Sequence, residues 1–112
     1  MNEITTERVR WITTDLEFFP DNGKRYEIID GELFVTRAPN WDHQEVTDNI
    51  CLELKLWSRQ TGLGRAVSGA GIIFTDADNV IPDVVWISNE RLAALLDDAG
   101  HLTAAPELVV EV

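Results

Sequence analysis

Two short apolar runs constrain this chain most. "NVIPDVVWIS", residues 79–88, and "PELVVEV", residues 106–112, are dominated by Val, Ile and Leu, the signature of strands buried within a sheet. Each nevertheless carries an acid: Asp83 lies between Ile81 and Val85, and Glu111 between Val110 and Val112. An unpaired buried charge costs several kcal/mol or shifts its pKa until it is neutral, so both carboxylates need a reason. Two such strands pairing side by side bring both acids to one end of a sheet, at a separation that a shared metal ion would bridge. Mg²⁺ favours such hard oxygen sites. The alternative is that each acid sits near a strand end and reaches solvent, or pairs with an arginine such as Arg65.

The rest of the chain supplies the layers around these strands. At 112 residues, 45% of them hydrophobic, the chain has the size of one small domain and enough apolar material for a core. Thr14 and Glu17 have capping-box spacing, which predicts a short helix stopped by Pro20, a lid on the core. Two β-prone runs flank Asp30-Gly31, a pair suited to a two-residue hairpin turn. Counting outward pairs Ile28 with Leu33 and Tyr26 with Val35 on an apolar face, and Glu27 with Phe34 on a mixed one.

Val46, Ile50, Leu54 and Trp57 recur at helical spacing, with Asp42 and Glu45 able to cap the start and Gly62 the end. "GRAVSGAGIIFT" and "VIPDVVWI" then predict two strands joined by the "DADN" turn at 76–79. Ser88 can cap a short helix carrying Leu92, Leu95 and Leu96, ended by Gly100. The order of hairpin, helix, strand, strand, helix, strand belongs to one α/β or α+β domain. No internal repeat or linker divides it.

Charge and cysteine usage narrow the functions. Lys plus Arg number 9 against 20 Asp plus Glu, a formal charge of −11, which repels a polyanion unless basic residues cluster locally. Cys51 is the only cysteine, so an intrachain disulfide and a cysteine-based zinc site are excluded. Cys51 reads as core filling. A reducing, cytoplasmic setting fits, no apolar run approaches a membrane span, and "MNEITTERVR" lacks the apolar core of a secretion signal.

Other motifs offer less. "SGAGIIF" has neither the spacing nor the following helix of a nucleotide fingerprint, and its glycines suit a bulge or close packing. There is no Gly-x-Ser-x-Gly elbow. His43, at the start of the long helix, can accept a hydrogen bond, contact phosphate or assist proton transfer, or it is a structural residue near a cap. Glu53 reads as a boundary residue of that helix with its carboxylate in water.

The blocks "RYEIIDGELFV", "DHQEV", "VIPDVVWIS" and "APELVVEV", in this order, resemble the Uma-type restriction-endonuclease-like family, a bacterial group with the PD-(D/E)XK nuclease fold. The resemblance implies a restriction-endonuclease-like mixed sheet flanked by helices, preceded by a β-hairpin, in a single domain over residues 1–112. Carried over by position, it gathers Glu27, His43, Asp83 and Glu111 around one site. Asp83 and Glu111 would hold Mg²⁺ or Mn²⁺, Glu27 would complete the shell directly or through water, and His43 would support or contact phosphate. A water activated by the ion would attack phosphorus in line, making the protein a DNA endonuclease.

The family pattern continues past the last Glu with a Ser-Pro turn, a Lys-bearing helix and further strands, none of which this sequence holds. Lys24, Arg25 and Lys55 do not occupy matching positions. The domain is therefore expected to be C-terminally incomplete, a fragment of a longer protein in preference to a natural truncation. Its apolar edge at Val109 to Val112 would invite strand pairing and a homodimer, or make the chain a non-catalytic interaction module.

Overall fold

The computed structural model describes residues 9–112; the secretion-signal reading of "MNEITTERVR" falls almost wholly outside the described residues. A 3-10 helix, Thr13–Phe18, opens the described chain and Pro20 follows it. Its cap differs from the expected Thr14/Glu17 box. The Asp15 carboxylate accepts a hydrogen bond from the Ile12 amide at 2.9 Å, because a tight 3-10 turn brings the third residue back onto the entering chain.

Strands β1 (Arg25–Ile29) and β2 (Glu32–Thr36) form the hairpin in the expected register, with Tyr26 opposite Val35, Glu27 opposite Phe34 and Ile28 opposite Leu33. Both turn residues have positive φ, Asp30 at 50° and Gly31 at 74°, as a two-residue turn matched to strand twist requires. Ile28 on the apolar face is fully buried. Tyr26 on the same face stacks on Phe19, ring centroids 4.6 Å apart, which ties the 3-10 segment to the hairpin.

Helix α1 (Trp41–Thr61) is capped by Asn40, not by Asp42: the Asn40 side chain accepts from the His43 amide at 2.8 Å. Gly62 ends it at φ 67°. The buried positions are Thr47, Cys51 and Ser58, so the helix turns a partly polar stripe inward and leaves Val46 and Trp57 about half exposed. Short polar groups are tolerated there because each is bonded. Thr47 and Ser58 donate to carbonyls one turn back, and Ser58 also accepts the Trp86 indole N–H at 2.8 Å. Cys51 is buried, as expected of core filling.

The two long strands anticipated at 64–75 and 79–88 are each broken in the middle. The segments are β3 (Gly64–Ser68), β4 (Ile72–Thr75), β5 (Asp78–Val80) and β6 (Val84–Ser88). β4 pairs with β5 and β3 with β6, so one long hairpin bends between them and feeds two sheets. The bend falls where Gly69 takes φ +67° opposite Asp83, next to Pro82, which has no N–H to give a ladder. The sheets run β2-β1-β5-β4 and β3-β6-β7, with β7 at Leu108–Val110. Every strand pair is antiparallel, and a parallel bridge joins Ile72 to Leu102.

Helix α2 (Asn89–Leu95) follows Ser88 and ends at Leu96, short of Gly100, which instead serves the next turn. Ser88 makes no side-chain cap, and its amide is held by the Glu107 carboxylate at 3.0 Å. The core lies under the bend: Ile72, Val85, Ile87 and Leu102 are buried together, with Leu92 and Leu95 of α2 packed on them. α1 covers β3 and β6. The α/β (α+β) class holds, and no helix among the described residues is long and apolar enough to cross a membrane.

Candidate functional site

The bend in the long hairpin leaves Asp83 just before β6, and the β6–β7 pairing carries Glu111 to the matching place just after β7. Val84 faces Val110 in that ladder, so Asp83 and Glu111 are the next opposed positions. Glu27 comes from β1 and His43 from the first turn of α1. All four line one cleft of about 580 Å³.

Asp83 is the buried member, its side chain 4% exposed. Arg25 donates to one carboxylate oxygen at 3.0 Å, and the Val112 amide donates to the other at 2.8 Å. His43 Nε2 lies 3.5 Å from that second oxygen, while Nδ1 stands 3.0 Å from Gln44 Oε1. Burial pushes the Asp83 pKa up, but the Val112 amide and the Arg25 guanidinium, helped by His43, outweigh it and hold the group below the ordinary carboxylate value. The arginine suggested by sequence as a structural partner, Arg65, lies elsewhere, in a second pocket with Lys55 and Arg59.

Glu111 behaves in the opposite way. Desolvation of its carboxyl, then the negative charges of Asp83 and Glu27, raise its pKa above the usual value. Glu27 is already engaged: one of its oxygens accepts the Ile81 amide at 2.8 Å. Three acids thus face a common space in which the third ionises against the other two.

The donor set consists of carboxylate oxygens, which suits a hard divalent cation. In this arrangement, however, no group of three His, Cys, Asp or Glu side chains among the described residues is close enough to hold a metal ion. At Asp83, an arginine and an amide satisfy both oxygens.

Sequence reasoning passed over the basic wall. Lys24, Arg25 and Arg37 line the same cleft as the acids, a local cluster in a chain of charge −11. The signal was present in the hairpin register, since Arg25 and Glu27 are two residues apart and project from one face of β1. Lys55 takes no part; its ammonium donates to the Ala66 carbonyl at 2.8 Å beside β3. Glu53 is exposed, as expected of a boundary residue.

A search of curated proteins finds no match. Among solved structures, the chain is similar to one described as a "putative nuclease belonging to DUF820" from Anabaena variabilis, with a TM-score of 0.70 at 16% identity over 89% of this chain. That likeness concerns the fold. The chain spans 56% of the length of that neighbour. The family model described as "Uma2: Putative restriction endonuclease" matches residues 13–112, and the chain belongs to this Uma2 family.

Proposed function

We propose that this chain carries the metal-binding carboxylates of a nuclease site, hydrolysing DNA phosphodiesters with Mg²⁺ or Mn²⁺. The observation that carries this reading is the pairing of Asp83 with Glu111 at adjacent strand ends, where the Glu111 carboxyl is raised by the charges of Asp83 and Glu27. Like charges held together in a cleft store a repulsion that a cation relieves. Asp83 and Glu111 would hold the ion, with Glu27 completing the set directly or through water. Bound there, the ion supplies Lewis-acid activation of water and neutralises charge growing on phosphorus.

The chain's own groups do the rest. Lys24, Arg25 and Arg37 offer a cationic wall for a phosphate backbone that the bulk of the surface repels. His43, held at the α1 N-terminus by the Asn40 cap, stands beside Asp83 and faces the cleft, within reach of a phosphate oxygen or a leaving group. Strands and a capped helix fix these side chains more closely than loops would. The single free cysteine suits a reducing, cytoplasmic setting.

Nicking of supercoiled plasmid DNA by this chain tests the reading. Activity should need Mg²⁺ or Mn²⁺, vanish with chelator, and be lost in Asp83→Asn and Glu111→Gln. Activity unchanged by both substitutions would remove the site from the reaction.

A second reading rests on a different observation. Leu108, Val109 and Val112 are 42–44% exposed on and beyond β7, the end strand of its sheet. Such an edge suits strand pairing with a second copy or another chain. Concentration-dependent association without any response to divalent ions would favour it.

A further inference from the structure

We propose that Arg25 is a resident cation of the cleft, which occupies Asp83 in the metal-free chain and must leave it before a divalent ion can bind. The proposal rests on the nuclease reading above and goes beyond it, because it assigns a function to the mismatch between donor chemistry and donor geometry. The acids suit a hard cation, yet they do not converge on one. What stands at the most buried of them is a guanidinium, 3.0 Å from Asp83 Oδ1.

Three features make this pair more than an incidental surface bridge. Asp83 is 4% exposed, whereas the Arg25 side chain is 27% exposed and its guanidinium can turn toward solvent. Arg25 and Glu27 share a face of β1, and the guanidinium bonded to Asp83 also lowers the Glu111 pKa by its charge, so one cation serves a cleft lined by all three acids. Finally, the Val112 amide binds the other Asp83 oxygen, so loss of Arg25 leaves the carboxylate oriented while freeing the oxygen that faces it.

Binding of a divalent ion is then an exchange of cations at Asp83. If Asp83 is free of Arg25 in about a tenth of molecules, apparent affinity is weakened roughly tenfold relative to the open site. The displaced guanidinium remains in the cleft beside Lys24, available to a phosphate.

Calorimetric titration of Mn²⁺ into the wild-type chain, Arg25→Met and Arg37→Met tests the exchange. Arg37 lines the same cleft without bonding Asp83, so it reports the general effect of removing one positive charge. The expected result is affinity roughly tenfold higher in Arg25→Met and changed much less in Arg37→Met. Equal gains in the two variants, or weaker binding in Arg25→Met, would overturn the proposal while leaving the metal site standing. Mn²⁺ binding in none of the three would overturn the nuclease reading and this inference with it. Should Arg25→Met fail to fold, NMR of the wild-type Arg25 Nε–H during Mg²⁺ titration decides the matter: a shift that saturates with binding supports displacement, and an unmoved signal alongside saturable binding refutes it.

Discussion

The Glu27 carboxylate accepts the Ile81 amide at 2.8 Å, across 54 residues of sequence. This bond fastens the N-terminal hairpin to the segment that bends between β5 and β6 and so sets the position of Asp83, two residues further on. Glu27 therefore has a structural duty whatever it does for a metal. Glu27→Ala should leave the Ile81 amide without its partner and lower stability by about 1–3 kcal/mol. Chemical denaturation of the two proteins measures this, and an unchanged midpoint would show that the bond is dispensable.

Acid stability should depend on Asp83. Its folded pKa lies below its ordinary value of 3.8, so the stability it contributes is present above that value and lost as pH falls through the folded pKa. Asp83→Asn should be destabilised at pH 7 by about 2–4 kcal/mol, since it leaves Arg25 facing a neutral group in a partly exposed pair. The difference from wild type should shrink below pH 4. Melting curves at pH 7 and pH 3 check both statements.

Glu111 should act with the opposite sign. Its folded pKa is raised above the ordinary 4.5, so its favourable contribution is fully present below that value and is lost as pH rises through the folded pKa. At pH 7 without divalent ions, Glu111→Gln should melt higher than the wild type, and at pH 4 the two should converge. A lower melting temperature for the variant at pH 7 would mean that Glu111 is not held against like charge.

The start of α1 offers a simpler test of how His43 is placed. Asn40 accepts the His43 amide, so Asn40→Ala should cost about 1 kcal/mol. For a domain of this size that corresponds to a fall in melting temperature of roughly 4–8 °C. Thermal unfolding followed by circular dichroism reads it directly.

Local chemistry made much of this fold legible. Asp30-Gly31 set the hairpin register because two positive φ values admit few turn types, and Gly62 ended α1 for the same reason. The broken strands were not legible, since Gly69 and Pro82 each tolerate a continuing strand edge, and the bend comes where they fall close together on the facing arms of one hairpin. The inward stripe of α1 was also misplaced, because Thr47 and Ser58 look exposed until their hydrogen bonds are known. Within the site, the family resemblance brought Glu27, His43, Asp83 and Glu111 to one cleft. Arg25 was passed over because it was compared with a lysine expected elsewhere, although strand alternation already put it beside Glu27.

The most direct test of the account is a calorimetric titration of Mn²⁺ into the wild-type chain beside Asp83→Asn. The account predicts saturable binding by the wild type that is lost in the variant; equal binding by both, or none by either, would contradict a metal site built on Asp83 and Glu111.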